Sequence, residues 1–390
     1  MRYIPELDAV RGIAAIIIVL FHVRFMGMFP LWGTAVDLFF VLSGYLITTI
    51  ILEKGGTPGF FKAFYARRAL RILPIYYLTF PVFLIVNPLL PHPSSLRPLP
   101  YYLTYTQFVQ GYWFGKIPEF SMHFRHTWTL AIEEQFYLIW PIVVVATGRR
   151  LLPIAIAPFL FGPFFMRIVG FFPHLLITRC DGLALGALLA WFFDVARSNE
   201  YLIRRARYTF VWIAVAAYTG SWWLDKGVGR IASLYFSPDR VVPIVWSWIQ
   251  LRIAIMFFGI TGLLVCATGE NWLKPLRAKP LLRLGRISYG IYLYHPLVGV
   301  VLGLCLRAFH RHGTAWTDAL RIVLCVVVSA LSWRFIEEPI LRFKNRFPYR
   351  ERESVPVRGG VPRPAFARQA RRMRESIVRE AITSERDMAD

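Results

Sequence analysis

Acidic residues are scarce in this 390-residue chain: 23 Asp and Glu stand against 45 Lys and Arg, a formal charge of +22. That imbalance raises nucleic acid as a partner. The basic residues, however, fall mainly in short connecting segments and a terminal tail, where they would meet anionic lipid headgroups instead. Cysteine is nearly absent too. Cys180, Cys266, Cys305 and Cys325 lie in or beside apolar runs with no metal-ligand spacing and no paired pattern, so buried thiols are expected and a metal is not. A cleavable signal peptide is not expected either, because the first apolar run lacks a clear small-residue cleavage site and starts with Glu6 and Asp8. No long internal repeat supports a repeat-built transporter. There is no Gly-x-Ser-x-Gly elbow, and no Cys is spaced convincingly from a His, which disfavours a covalent enzyme intermediate.

What the chain does have is apolar length. It is 56% hydrophobic, and runs of about 20 apolar residues, enough to cross a bilayer as helix, recur along it. They predict ten spans: 9–28, 34–52, 69–90, 127–147, 150–172, 175–194, 206–224, 244–268, 286–306 and 317–338. The stretch 98–113 is aromatic but rich in Tyr, Thr and Gln, and reads as interfacial or re-entrant. With the N-terminus cytoplasmic, 30 Lys and Arg fall on the inner side and 9 on the outer, as the positive-inside rule requires. The expected fold is an all-α integral membrane bundle of about ten helices with both termini cytoplasmic, in the cell's inner membrane. Residues 1–345 form the membrane domain and 346–390 a basic cytoplasmic tail. The tail is either disordered or, over 366–390, an amphipathic helix lying on anionic lipid through Met373, Ile377, Val378 and Ile382.

Charged groups inside spans are costly, about 2.5–3.5 kcal/mol at a helix centre, and mark functional sites. Arg11 and His22 share the first span. By helix rise, His22 sits roughly 20 Å above its inner end. Glu133, Asp37, Arg179 and Asp181 fall at a similar outer level, so convergence on an internal hydrated cavity is expected. A neutral imidazole suits general-base work near neutral pH. His22 is the candidate base, with Glu133 or Asp37 holding its tautomer. On spacing alone, a histidine that merely bonds its neighbours is an equal reading. On the inner side Arg67, Arg68 and Arg71 stand at i, i+3 and i, i+4 spacings and can converge on one phosphate-bearing ligand; plain topology signalling is the alternative. His295 is read either as lining a channel or as packed in a kinked helix. Arg179 and Asp181 either pair with each other or serve an acceptor. Arg252 and Arg321 have no evident partner.

Several stretches add up to a resemblance. Glu6-Leu-Asp-Ala-Val-Arg-Gly-Ile-Ala14 running on to His22, Asp37-Leu-Phe-Phe-Val-Leu-Ser-Gly-Tyr-Leu46 and Arg67-Arg-Ala-Leu-Arg-Ile-Leu-Pro74 resemble the opening of the acyltransferase-3 family of integral membrane acyltransferases. His126-Thr-Trp-Thr-Leu-Ala-Ile-Glu-Glu134, Arg286-Ile-Ser-Tyr-Gly-Ile-Tyr-Leu-Tyr-His-Pro296 and Phe335-Ile-Glu-Glu-Pro339 follow in that family's order. The resemblance implies transfer of an acyl group, acetyl by default, from acyl-coenzyme A to a hydroxyl of a carbohydrate or glycoside acceptor. It ties Arg11 and His22 to activity, matches Glu133 to the family's acidic position and links Arg67, Arg68 and Arg71 to the coenzyme A end. By depth alone, Asp37 stays beside Glu133 as a catalytic candidate, and Arg11, about 16 Å below His22 by helix rise, reads as a donor-binding residue. Ser43, Gly44 and Tyr45 match a motif whose role is chemistry or helix packing. Thr129 stands where Ser is common, and Glu338 where Arg is common. A proton-coupled exporter of a sugar or lipid-linked sugar is the competing reading, and a non-catalytic assembly protein a third. The sequence leaves the oligomeric state open.

Overall fold

The computed structural model describes residues 3–23, 34–108, 124–171, 174–235, 238–308 and 315–349, with backbone alone for 221–235 and 238–242. Nearly all of the expected tail, its amphipathic segment included, lies outside the described residues. Among those described, every regular element is helical. In chain order they are α1 (Pro5–Phe21), α2 (Ala35–Lys54), α3 (Phe60–Val86), α4 (Leu99–Leu103), α5 (Trp128–Ile168), α6 (Leu176–Arg179), α7 (Asp181–Ala196), α8 (Glu200–Tyr235), α9 (Pro238–Cys266), α10 (Lys279–Ala308), α11 (Ala315–Ser332) and α12 (Glu338–Arg342).

Among the described residues, six helical segments are long and apolar enough to cross a membrane: Ala35–Lys54, Phe60–Leu89, Arg125–Ile168, Pro243–Cys266, Lys279–Ala308 and Ala315–Arg346. The ten expected spans map onto this set unevenly. Spans 127–147 and 150–172 form the two arms of α5, divided at Gly148, whose φ of 63° and ψ of −177° are not helical. A left-handed φ costs glycine nothing, so the break falls where the sequence supplies one. Span 175–194 is split at Cys180 into the single turn α6 and the 16-residue α7. α1 has only 17 described residues, short of the roughly 20 that a bilayer core needs. The described part of 98–113 contributes a five-residue helix, α4, too short to cross.

Local chemistry sets the helix starts. α1 begins with Pro5 at its first turn and carries Glu6 and Asp8 there, where the helix dipole favours negative charge and proline gives up no needed donor. The prolines inside α3 and α5 are tolerated because neighbouring helices can satisfy the freed carbonyls. α2 lies at the centre, packed on α7 along most of its length, while α1 packs on α10, α10 on α11 and α8 on α9. Small residues set the α2–α7 crossing: a Cβ on Gly44 would stand 2.0 Å from the Leu183 carbonyl oxygen, and one on Gly186 2.1 Å from that of Val41. This backbone contact is what small residues at membrane-helix interfaces allow.

Candidate active site

With α7 drawn close on one side, the other side of α2 faces a cavity of about 230 Å³ between α1, α2, α3, α5 and α10. Its polar wall is Arg11 from α1, Ser43 from α2, Arg68 and Arg71 from α3, Thr129, Glu133 and Tyr137 from α5, and Tyr289 and Tyr292 from α10. The Ser43 hydroxyl donates to Glu133 Oε1 at 2.8 Å. The Ser-Gly pair therefore does both jobs: Gly44 packs α7, and Ser43 holds a carboxylate. Arg68 lies over the Tyr137 ring at 5.2 Å and Arg71 over Trp333 at 5.1 Å. Glu337, carried by a π-helical turn over Trp333–Glu337, comes within 4.0 Å of Arg71. Arg67 turns away, donating from Nε to the Phe347 carbonyl at 2.7 Å and lying over Tyr349. Three guanidiniums thus line one cavity; Asp8 lies 3.8 Å from Arg11 and Glu337 4.0 Å from Arg71, both at the long end of ion-pair distance, and guanidinium forks grouped in this way suit the oxygens of a phosphate-bearing ligand.

His22 is not among the cavity-lining residues. It caps α1 at the end where α2 and α5 begin, with its side chain exposed. Its Nδ1 lies 2.8 Å from the Ile18 carbonyl oxygen. A carbonyl only accepts, so Nδ1 carries the proton and Nε2 presents its lone pair. The carboxylate expected on Nδ1 is replaced by a backbone oxygen: neither Glu133 nor Asp37 hydrogen-bonds His22. Beside His22 lies His295, ring centroids 4.7 Å apart, and His126 lies 5.1 Å beyond that. Pro296 deprives the Tyr292 carbonyl of its helical donor, and His295 Nδ1 takes that carbonyl at 2.6 Å. His295 is wholly buried, and its Nε2 has no hydrogen-bond partner.

Two features tie this imidazole row to the rest. Tyr292, a cavity residue, donates its hydroxyl to the His126 carbonyl at 2.5 Å and bonds the Thr129 hydroxyl. The threonine that replaces the common serine therefore keeps the hydroxyl that is used. Arg321, which had no evident partner in the sequence, donates Nη1 to the His22 carbonyl at 3.1 Å and Nη2 to that of His295 at 3.2 Å. Arg252 similarly donates to the Ala217 carbonyl.

Asp37 belongs to a third group. It pairs with Arg179 at 2.9 Å, and Arg167 pairs with Asp181 at 2.9 Å, all four buried. Arg179 and Asp181 are therefore partnered, but not with each other. Arg179 also stacks over Phe40 and Trp128. His174, in the connection ahead of α6, packs edge-on to Trp128 at 4.8 Å. Burial first, then the Arg179 and Arg125 charges, pulls its pKa down to about 4. Among the described residues no group of three or more His, Cys, Asp or Glu is placed to hold a metal.

A polytopic helical membrane protein with an arginine-walled cavity linked to an imidazole row is the class that fold and site define. The family model described as an acyltransferase domain, type 3, matches residues 4–334, and the chain belongs to that family. It is 29% identical over 378 residues to the peptidoglycan O-acetyltransferase OatA of Listeria monocytogenes, covering 89% of this chain and 57% of that protein. It is equally 29% identical over 378 residues to a Bacillus subtilis protein named "Putative peptidoglycan O-acetyltransferase YrhL", covering 87% of this chain and 55% of that one. The chain thus spans little more than half the length of these curated relatives. No solved structure matches it.

Glu337, His126 and Arg321 were not picked out as site residues in the sequence. Glu337 had a signal, since it lies in the Phe335–Pro339 motif. Arg321 had one as well, being a charge inside a span.

Proposed function

We propose that this protein is a membrane O-acyltransferase that moves an acyl group, by default acetyl, from acyl-coenzyme A to a carbohydrate hydroxyl. The observation that carries this reading is the arginine-walled cavity joined through Thr129 and Tyr292 to the imidazole row. In our reading ten spans place both termini in the cytoplasm of the inner membrane. The donor then enters at the basic end of α3, with its phosphates on Arg68, Arg71 and Arg11. Arg67, tied to residues 347 and 349, orders the rim.

The chemistry follows from the tautomer. His22 Nε2 takes the proton of the acceptor hydroxyl as that oxygen attacks the thioester carbonyl. The C–S bond breaks, the coenzyme A sulfur leaves with its electron pair, and the imidazolium returns the proton to it. Arg321 and the Ile18 carbonyl fix the position and tautomer of the base. Glu133, held by Ser43, balances charge in the cavity wall, and Asp37 acts on the acceptor side by fixing Arg179. A carbohydrate acceptor draws on the names of the relatives, and a cell-wall glycan is the first class to try. Family membership leaves the exporter alternative without support.

The test is label transfer from radiolabelled acetyl-coenzyme A by purified protein, together with glycan mass spectrometry of whole cells. His22→Ala is expected to lower transfer by about 10²–10⁴-fold, the usual worth of a general base, with donor binding retained. Arg68→Ala is expected to weaken donor binding. Unchanged transfer in both variants would sink the mechanism.

A further inference from the structure

A second cavity, of about 470 Å³, lies at the end of the helices where Asp37 and Trp128 sit. Its wall includes Trp128, Arg167, His174, Arg179, Trp246 and Gln250. Its volume is within the range of about 300–1,000 Å³ typical of small-molecule sites.

Three observations say what would fit. First, the polar groups here are built and left wanting. Arg179 and Arg167 are each only 5% exposed, yet Nη1 of the first and Nε of the second have no hydrogen-bond partner, and neither has Gln250 Oε1. Buried polar atoms are nearly always satisfied, so unsatisfied ones clustered on a cavity wall point to a ligand. Second, the charge is already balanced. Asp37 neutralises Arg179 and Asp181 neutralises Arg167, so the site offers N–H donors without net attraction for an anion. Third, two indoles border it. Trp128 is held in place by Arg179 and His174, whereas Trp246 stands 59% exposed at the mouth. Indole faces against apolar C–H surface, donors and an amide oxygen for hydroxyls, and no net charge together describe a neutral sugar ring.

The position suits an acceptor. Phe40 lines the central cavity and carries the Arg179 guanidinium 5.7 Å from its ring centroid. Trp128 borders the second cavity and meets Phe40 edge-on at 5.9 Å. One wall of Phe40 and Trp128 thus separates the two spaces, and Thr129, next in the chain, already touches Tyr292. We propose that this second cavity binds a neutral saccharide ring and is the acceptor subsite for acyl transfer; the acceptor role rests on the function proposed above.

The test is equilibrium binding of radiolabelled chitotetraose and, separately, of acetyl-coenzyme A to the purified full-length protein in detergent. Trp246→Ala and Gln250→Leu avoid the buried ion pairs and so spare the fold, which circular dichroism checks. Each is expected to weaken tetrasaccharide binding about tenfold or more and to raise the acceptor KM, while acetyl-coenzyme A affinity stays within about twofold. Excess inorganic phosphate is expected not to compete. If wild type fails to bind the tetrasaccharide, or both variants bind it as wild type does, the site is overturned and Trp246 is only an interfacial anchor. Displacement by phosphate would overturn the neutral-ligand assignment. If wild type binds the saccharide but not acetyl-coenzyme A, the acyl-transfer reading fails while the saccharide site stands.

Discussion

At the residue scale, charges inside the apolar bundle sort by whether they have partners. Asp37 and Glu133 look alike in sequence, each an acidic residue near the same end of a span. In the structure one is locked in a buried ion pair and the other takes a serine hydroxyl on a cavity wall. Removing one partner of a buried pair leaves an uncompensated charge, which costs about 3–5 kcal/mol, whereas replacing both by apolar groups is often neutral. Asp37→Ala is therefore expected to lower the melting temperature in detergent sharply, and Asp37→Leu with Arg179→Leu to recover most of it. Glu133→Gln, which can still accept from Ser43, is expected to melt near wild type. A larger loss for Glu133→Gln than for Asp37→Ala would reverse this division. Nothing local to either residue tells these roles apart, because the partners of Asp37 and Glu133 lie 142 and 90 residues away.

His174 adds a pH dependence of its own. Its folded pKa, about 4, lies below the usual histidine value because burial and the Arg179 and Arg125 charges oppose protonation. Between about 6.5 and 4 the unfolded chain binds the proton and the folded one does not, so stability falls as pH drops through that window. His174→Gln should flatten the slope of melting temperature against pH there. An unchanged slope would mean that other groups set it.

At the element scale, apolar run length located most of the helices but misplaced some of their ends. α3 begins at Phe60, nine residues ahead of the expected span. A hydropathy reading treats the turns carrying Lys62, Arg67 and Arg68 as connector, although helix continues through a basic stretch where an interface accepts it. The Gly148 break was legible as a short gap between two apolar runs. The α2–α7 crossing was not, since a lone glycine in a span does not announce which backbone it touches. Gly44→Val is expected to force these helices apart, costing at least the 1–3 kcal/mol typical of overpacking, and to disturb the Ser43–Glu133 contact beside it. Wild-type stability and activity in Gly44→Val would show that the close approach is dispensable.

At the scale of the whole molecule, the site is a product of distant assembly. Arg11, Arg68, Glu133 and Tyr292 come from four helices, and only the resemblance between ordered motifs brought three of them together in advance. The charge distribution adds a complementary large-scale expectation of which end faces which compartment. Segments 53–71, 195–207 and 270–286 hold 5, 4 and 5 basic residues, and in a positive-inside arrangement these all share one side with both termini. That side is the Arg68 end of the cavity, opposite His22, so orientation and mechanism stand together: a cytoplasmic donor needs the arginine end inward. Fusing green fluorescent protein to the C-terminus should give fluorescent cells, and a single cysteine in segment 270–286 should resist a membrane-impermeant thiol reagent in intact cells. Labelling of that cysteine from outside would invert the bundle, place His22 on the cytoplasmic face and break the proposed path from cytoplasmic donor to outer acceptor.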